Sequence, residues 1–194
     1  MKEDIILAGV GGQGILSIAT VIGKAAVEQN LNLKQAEVHG MSQRGGDVQS
    51  HLRLSTGSVD SDLIPRGECD FIISMEPMEA LRYLPWLSER GWIITSTTPV
   101  VNIPDYPGSG AVMAELEKAG NVIALDADAL AREAGSPRSA NMALLGACAS
   151  VLGILDADKL RNGIRSVFAG KGEAIVEANL KAFDAGLESA ERHE

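Results

Sequence analysis

Two segments of the sequence combine residue types that bind ligands or carry protons. The first is the glycine-rich turn Gly9-Val10-Gly11-Gly12-Gln13-Gly14, whose spacing is typical of a dinucleotide-binding turn. The second covers residues 37–46 and reads Glu-Val-His-Gly-Met-Ser-Gln-Arg-Gly-Gly. Its Arg44 is suited to binding a carboxylate or phosphate, and its His39 is a residue type that can orient or shuttle a proton near neutral pH. We therefore predict a functional loop at residues 39–46, the alternative being a polar connection whose glycines only turn the chain.

The glycine-rich turn has two interpretations. Glycines let a pyrophosphate approach the backbone, a following helix supplies free amides, and Glu37 stands where a ribose-binding acid would stand. The same glycines suit any tight turn from a strand into a helix, and the chain leaves no room for a catalytic domain beyond a Rossmann core. We assign Gly9, Gly11, Gly12 and Gly14 to loop geometry, with anion binding as the alternative, and expect no redox dinucleotide.

Cysteine and histidine spacing does not indicate a metal centre. Cys69 and Cys148 form no Cys-x-x-Cys pair, and cluster ligation usually takes four thiolates, so no metal ligands are predicted. Cys148 lies in an apolar stretch typical of a core, and Cys69 stands between two acids that disfavour its thiolate. The acid pairs at residues 126–128 and 156–158 are interpreted as helix caps rather than ligands.

Length and charge limit the class of protein further. The chain has 194 residues and a net charge of −9, which repels nucleic acid and anionic lipid, so neither is an expected partner. Two acids precede the first apolar run, unlike a secretory signal, and no apolar stretch reaches the roughly 20 residues of a membrane span. We expect one domain, residues 1–194, working in the reducing cytoplasm.

Apolar runs alternate with helical patterns along most of the chain. Strands are predicted at residues 4–8, 33–38, 48–54, 71–75, 92–96 and 122–125. Helices are predicted at residues 13–29, after Pro77, at 111–118 and after Asp126, and then at 140–155, 157–168 and 173–189. This order predicts a three-layer α/β fold, Rossmann-like, with a mostly parallel sheet and a helical C-terminal region.

Two of these elements carry more detailed predictions. The first helix is expected to bury one face, formed by Leu16, Ala19, Ile22, Ala26 and Val27. The third strand alternates polar and apolar residues, which indicates one wetter face and a place at the sheet edge.

The order of motifs along the chain resembles one family. The glycine turn and the 37–46 block are followed by Ser50-His51-Leu52-Arg53, Leu63-Ile64-Pro65 and Asn141-Met142-Ala143-Leu144-Leu145-Gly146. Together they resemble the gamma-type subunits of 2-oxoacid:ferredoxin oxidoreductases. Within that family the chain is most similar to the beta subunit of indolepyruvate:ferredoxin oxidoreductase. The likeness covers nearly the whole chain, and its most specific part is the block at 39–46.

The resemblance implies an enzyme subunit. Such enzymes oxidatively decarboxylate a 2-oxoacid, here an arylpyruvate, to an acyl-coenzyme A and pass the electrons to ferredoxin. Thiamine diphosphate and iron–sulfur clusters are then expected on a larger partner subunit, with coenzyme A as cosubstrate and no cofactor on this chain alone. His39, Gln43 and Arg44 are expected to face the partner and the acyl or coenzyme A end of the site. The alternative is that this loop only packs in the interface between the subunits and does not contact the active site.

Two other functions remain open from the residues themselves. One is a freestanding Rossmann-type nucleotide-binding enzyme, and the other is a regulatory nucleotide sensor. Tight binding of a dinucleotide would favour either of them over the oxidoreductase subunit.

Overall fold

A six-stranded sheet organises the residues that the computed structural model describes, 1–39 and 46–192. The strands are β1 (Lys2–Val10), β2 (Asn32–His39), β3 (Asp47–Ser55), β4 (Cys69–Ser74), β5 (Leu87–Ser96) and β6 (Asn121–Leu125). Their order across the sheet is β2-β3-β1-β4-β5-β6. Strands β1, β4, β5 and β6 are parallel neighbours, and β3 runs antiparallel to β1 and β2. The predicted α/β fold with a mostly parallel sheet is confirmed.

Helices cover both faces of this sheet. They are α1 (Ile15–Glu28), α2 (Pro77–Arg82), α3 (Ser109–Glu117), α4 (Ala127–Glu133), α5 (Ala140–Ala149), α6 (Ala157–Phe168) and α7 (Glu173–Glu191). One apolar core lies beneath α1, α4, α5, α6 and α7, and a smaller one lies beneath α2 and α3 on the opposite face. The C-terminal helices therefore complete the larger core rather than form a separate unit.

The predicted face of α1 was only partly correct. Ala19, Ile22 and Ala26 are buried, whereas Leu16 and Val27 have exposed fractions of 38% and 69%. The helix lies between the sheet and α6, so its buried stripe is broad and is rotated toward the positions of Ile15 and Ile18. Apolar residue type alone does not reveal this rotation.

The third strand is not at the sheet edge, so that prediction was wrong. β3 is inserted between β1 and β2, and β2 forms the edge. The polar face of β3 is covered instead by the chain that follows it, because Ile64 donates its backbone N–H to Nδ1 of His51 at 3.1 Å. A strand with polar side chains can thus occupy the sheet interior when a loop satisfies them.

A buried ion pair fixes the amino end of the sheet, where β1 starts. Asp4 is fully buried, and Arg53 meets its carboxylate through two hydrogen bonds, of 2.9 and 3.0 Å. Arg53 also donates to the carbonyl of Leu63 at 3.0 Å. The Ser50–Arg53 and Leu63–Pro65 motifs therefore act together in holding the chain between β3 and β4.

Two glycines bring α5 and α7 into backbone contact. A Cβ atom on Gly146 would lie 1.9 Å from the carbonyl oxygen of Phe183, and one on Gly186 would lie 1.9 Å from that of Ala143. This contact fixes α5, whose first turn carries Asn141. The helix ends at Ala149, six residues before its predicted end, because the chain turns there: Val151 and Leu152 both donate their backbone N–H to the carbonyl of Cys148.

Candidate functional site

The two segments predicted to carry function meet at the carboxyl end of β1. Gly11 donates its backbone N–H to the carbonyl of Gly46 at 2.9 Å, which joins the glycine turn to the start of β3. His39 is the last residue of β2 and pairs with Val48 of β3. Gln43 and Arg44 lie outside the described residues. The carboxyl end of an open α/β sheet is where such folds bind ligands.

Gln13 holds the glycine turn in shape. Its side-chain oxygen accepts the N–H of Val10 at 2.7 Å, and its amide nitrogen donates to the carbonyl of Met75 at 3.1 Å. Met75 follows β4, so this one side chain links the turns after two neighbouring strands. Both polar groups of Gln13 are used, which makes it a positioning residue for the turn.

The four glycines of the turn have different surroundings. Gly12 and Gly14 line a cavity, whereas the N–H of Gly11 is taken by Gly46. A Cβ on Gly9 would lie 2.9 Å from atoms of both Gln13 and Ile15, so this glycine is required by packing. Gly14 has a φ of +80°, and a Cβ there would lie 2.6 Å from the Asn141 amide nitrogen. Positive φ at Gly12 and Gly14 and close packing at Gly9 are consistent with a role in loop geometry, and Gly12 and Gly14 also border the cavity.

The cavity has a volume of about 520 Å³, within the usual range of small-ligand sites. The glycine turn and the first turn of α1 form one wall, and the chain entering α5 forms the other. Its lining residues are Gly12, Gln13, Gly14, Ser17, Met75, Asp128, Ser136, Pro137, Arg138, Ser139, Ala140, Asn141, Phe168, Lys171, Ile175 and Asn179.

The cavity is suited to an anion. Helices α1 and α5 both begin on its wall without a side-chain cap and without an acid in the first turn. The positive ends of their dipoles, and those first-turn amides that have no partner within the helix, can therefore contribute to binding a ligand. Arg138 and Lys171 add two positive charges, against one acid, Asp128. An array of amides and cations of this kind binds phosphate or carboxylate groups.

Two buried polar atoms beside the cavity have no hydrogen-bond partner among the described residues. They are the hydroxyl oxygen of Ser139 and the side-chain oxygen of Asn141, in residues that are 1% and 6% exposed. The amide nitrogen of Asn141 is used, because it donates to the carbonyl of Gly14 at 3.0 Å. Buried polar atoms are normally satisfied, so unsatisfied ones lining a cavity indicate that a ligand or water supplies the missing bonds.

The strand order weakens the dinucleotide interpretation. In a Rossmann site the ribose-binding acid ends the strand beside β1, about 5 Å away. Here β3 lies between β1 and β2, which moves Glu37 to about twice that distance. Glu37 also accepts a hydrogen bond from Gln35 on the same edge strand.

One buried acid at this end of the sheet, on the face opposite the cavity, was not predicted from the sequence. Glu76 is 1% exposed and caps α2 by accepting the N–H of Glu79 at 2.8 Å. Its other oxygen accepts the N–H of Val100 at 3.3 Å and the hydroxyl of Tyr106. Pro77 marks the helix start, but glutamate is not among the usual N-cap residues, so this role had no sequence signal.

A pair of neighbouring acids, Glu79 and Asp47, lies beside Glu76. Burial, together with the neighbouring Asp47 carboxylate, raises the pKa of Glu79, although Arg82 binds it at 2.8 Å and acts in the opposite direction. Tyr83 donates its hydroxyl to Asp47 at 3.1 Å, and burial raises the pKa of that hydroxyl. These groups satisfy one another and fix the start of β3, immediately after the 39–46 segment.

The remaining candidates are structural. Cys69 and Cys148 are both buried, and burial raises the pKa of Cys69 to about 12 and that of Cys148 further still. Asp126 caps α4 by accepting the N–H of Ala129 at 2.8 Å, whereas Asp156 makes no side-chain cap to α6. Among residues 1–39 and 46–192, no group of three or more histidine, cysteine or acidic side chains could hold a metal ion.

Sequence reasoning missed the cations of the cavity. Arg138 belongs to no motif, and Lys171 has a P-loop-like neighbour pattern without the required spacing. Chain folding brings them to the glycine turn from the entrance of α5 and the end of α6. Asn141 belongs to the 141–146 motif, and its position in an apolar stretch was the one sequence signal that this polar residue would be buried. In the structure it is 6% exposed.

No helix in the described part of the chain is long and apolar enough to cross a membrane. The architecture is that of an α/β protein with a cavity at the carboxyl end of a mostly parallel sheet.

Comparison with known proteins specifies this class further. Residues 4–189 match the family model described as pyruvate ferredoxin/flavodoxin oxidoreductase. The chain belongs to this family, and the predicted resemblance is confirmed. It is 37% identical to the indolepyruvate oxidoreductase subunit IorB of Methanothermobacter thermautotrophicus over 98% of both chains. It is 38% identical to the IorB subunit of Pyrococcus horikoshii over 98% of this chain and 97% of that one.

A solved structure agrees with these relatives. The gamma subunit of a keto/oxoacid ferredoxin oxidoreductase from Geobacter sulfurreducens superposes with a TM-score of 0.75 at 26% identity, covering 99% of this chain and 98% of that one. The prediction of an oxidoreductase subunit of the 2-oxoacid:ferredoxin type is thereby confirmed.

Proposed function

We propose that this chain is the smaller, cluster-free subunit of an enzyme that oxidises indolepyruvate or a related arylpyruvate to an acyl-coenzyme A, with ferredoxin as acceptor. The observation that carries the substrate class is identity of 37% and 38%, over nearly full length, to relatives named for indolepyruvate. Thiamine diphosphate and iron–sulfur clusters belong, in this proposal, to a larger subunit in the same reducing compartment. When bound there, they supply decarboxylation and electron transfer.

The cavity gives this chain a part in the reaction. Coenzyme A is the polyanionic cosubstrate, and its phosphates match the free amides of α1 and α5 together with Arg138 and Lys171. Asn141 and Ser139 have buried oxygens free to accept hydrogen bonds from the ligand. The cavity of about 520 Å³ holds a part of so large a molecule and leaves its thiol end to extend toward the partner chain. The residues 1–194 act in this proposal as one domain that presents the cosubstrate.

The test uses the complex purified after co-expression with the larger chain. Arg138→Ala combined with Lys171→Ala should raise the KM for coenzyme A ten- to a hundredfold, because charge-assisted hydrogen bonds contribute about 1.5–3 kcal/mol. The KM for indolepyruvate and the melting temperature should not change. Indolepyruvate should also support faster dye reduction than pyruvate.

The matched control removes two positive charges elsewhere. Arg165→Ala combined with Lys181→Ala alters exposed bases of α6 and α7 that do not line this cavity. We expect its KM for coenzyme A to stay within twofold of wild type. Equal losses in both double variants would mean that general charge, rather than the cavity, attracts the cosubstrate.

A further inference from the structure

The hydroxyl of Ser139 lines the cavity and has no use in the fold. Ser139 is the N-cap residue of α5, a position where a serine normally accepts a hydrogen bond from an N–H of the first turn. Its hydroxyl makes no such bond, and within the described part of the chain it has no other partner, although the residue is only 1% exposed. A buried hydroxyl in this state is available to a ligand in the cavity.

Asn141, in the first turn of the same helix, is only half used by the fold. Its amide nitrogen donates to the carbonyl of Gly14 at 3.0 Å, immediately before α1. Turning the amide over would set its oxygen against that carbonyl oxygen, so the orientation of the side chain is fixed. The amide oxygen is then the end that has no partner among residues 1–39 and 46–192. Asn141 thus presents a hydrogen-bond acceptor beside the cavity.

An acceptor in this position requires a ligand group that donates a hydrogen bond. An ionised carboxylate has no proton to donate, and a phosphate monoester, whose second pKa is about 6, has none left at pH 8. An anion bound by Arg138 and Lys171 therefore leaves the oxygen of Asn141 unsatisfied. The missing group is a hydroxyl or an N–H that lies close to the anionic part of the ligand.

We propose that Ser139 and Asn141 are specificity-determining residues, which select a ligand that carries a neutral hydrogen-bond donor beside its anionic group. The proposal rests on the proposed function and deepens it. Coenzyme A has such donors on both sides of its diphosphate: the ribose and adenine on one side, and the hydroxyl and amides of the pantothenate portion on the other. A simple anion satisfies only the cations and helix ends of the cavity. The two residues thus distinguish the cosubstrate from small anions.

Competition against coenzyme A tests this proposal in the purified complex of both subunits at pH 8. Three competitors of dye reduction are compared: methyl phosphate, which has no donor at that pH, adenosine 3′,5′-bisphosphate and 4′-phosphopantothenate. Ser139→Ala should raise the KM for coenzyme A about three- to tenfold, the factor that one hydrogen bond contributes. The inhibition constant of methyl phosphate should stay within twofold of wild type. Of the other two competitors, the one whose inhibition constant rises with the KM identifies the part of coenzyme A that meets Ser139.

Melting temperature separates a ligand contact from a structural role. Removing an unsatisfied buried hydroxyl should not lower the melting temperature of the complex, whereas removing an N-cap hydroxyl would lower it. Ser139→Ala should therefore weaken coenzyme A binding without lowering the melting temperature. Asn141→Ala should raise the KM at least as much and should also lower the melting temperature, because it removes the bond to Gly14.

Two further variants serve as controls. Ser150 lies at the other end of α5 and donates its hydroxyl to the carbonyl of Ala147 at 2.8 Å, so Ser150→Ala should leave the KM within twofold of wild type. Arg138→Ala combined with Lys171→Ala removes contacts to the anion itself. This variant should raise the inhibition constant of methyl phosphate together with those of the other competitors, unlike Ser139→Ala.

Each other outcome contradicts the inference, the proposed function or both. An active complex in which Ser139→Ala leaves the KM for coenzyme A unchanged, or weakens methyl phosphate equally, would contradict the inference alone. A rise in the KM for indolepyruvate instead of coenzyme A would also refute it. Calorimetric titration repeats the comparison without turnover, and an inactive complex with the expected binding pattern would contradict only the function. A complex that binds no coenzyme A would contradict both.

Discussion

The two ends of the sheet differ in whether their buried polar groups have hydrogen-bond or ion-pair partners. At the amino end, Asp4 is fully buried and paired with Arg53 and Lys2, at 2.9 Å each. At the carboxyl end, buried oxygens of Ser139 and Asn141 lie beside an open cavity and have no hydrogen-bond partner within the part of the chain that the structure describes. The third unpartnered atom among the described residues belongs to Glu3, whose other carboxylate oxygen accepts the N–H of Gly153.

This difference assigns different roles to the two ends of the sheet: the amino end contributes to folding stability, and the carboxyl end is available for ligand binding. Polar groups that satisfy one another contribute to folding, whereas groups left unsatisfied in a cavity cost folding energy and are available to a ligand. Substitutions at the amino end should therefore change the free energy of unfolding, and those at the carboxyl end should change ligand constants.

The largest effect is expected at the amino end. Asp4→Ala leaves the Arg53 guanidinium, whose side chain is only 12% exposed, without its carboxylate partner. Breaking such a pair costs about 3 kcal/mol of stability, which chemical unfolding measures. The KM for coenzyme A should not change in the complex.

The control for Asp4 is an exposed pair. Asp158 binds Arg161 at 2.8 Å with a carboxylate that is 88% exposed, so Asp158→Ala should cost under about 1 kcal/mol. If the two variants lose equal stability, the burial of Asp4 does not explain the contribution of its ion pair to the free energy of unfolding.

The next largest effect is expected from Arg44, which belongs to the sequence segment between β2 and β3. Arg44→Ala in the complex should raise the KM for the 2-oxoacid or for coenzyme A ten- to a hundredfold, with no change in the unfolding free energy of the isolated chain. Arg44→Lys keeps the charge but loses the bidentate fork, so it should recover only part of the loss. Failure of the alanine variant to assemble would instead assign the segment at 39–46 to the subunit interface.

The smallest expected effect is on the pH dependence of the free energy of unfolding, and it concerns Asp70 at the amino end of the sheet. Burial, with a contribution from the Asp4 carboxylate, raises the pKa of Asp70, which accepts the N–H of Asp4 at 2.8 Å. The folded state therefore holds this proton more tightly than the unfolded state does, and stability is lost as pH rises through the folded pKa. Asp70→Asn keeps an acceptor and removes the titration, so its stability relative to wild type should improve between pH 4 and pH 7.

Urea unfolding at a series of pH values measures this difference. The exposed acid Asp60 serves for comparison, and Asp60→Asn should show a smaller change with pH. A stability difference between wild type and Asp70→Asn that stays constant from pH 4 to pH 7 would argue against the shifted titration.

Much of the fold was predictable because periodicity and turn chemistry are local. The helix at 157–168 was predicted with its observed bounds, and each predicted strand corresponds to an observed one. The interior position of β3 was not predictable, since it depends on the loop that covers His51. The helix predicted to reach Leu155 ends at Ala149, because apolar composition does not distinguish a buried helix from a buried turn.

The candidate site was predictable only where its residues are adjacent in sequence. The glycine turn was found as a motif, and two of its glycines line the cavity. Arg138 and Lys171 come from chain segments more than a hundred residues later and carry no local pattern, so only the packing of α5, α6 and α7 brings them to the turn. Glu76 was missed because its role depends on Val100 and Tyr106, which fold back onto it.

The hydrogen bond between Gly11 and Gly46 has a consequence for how sequences of this kind can diverge. It joins the residue that directly follows β1 to the residue that directly precedes β3. An insertion between Val10 and Gly11, or between Gly46 and Asp47, would shift one partner of the bond relative to its strand. These two connections are therefore constrained to keep their lengths together, even where their side chains change. In a distant relative, an altered length directly after β1 should be accompanied by an altered length directly before β3.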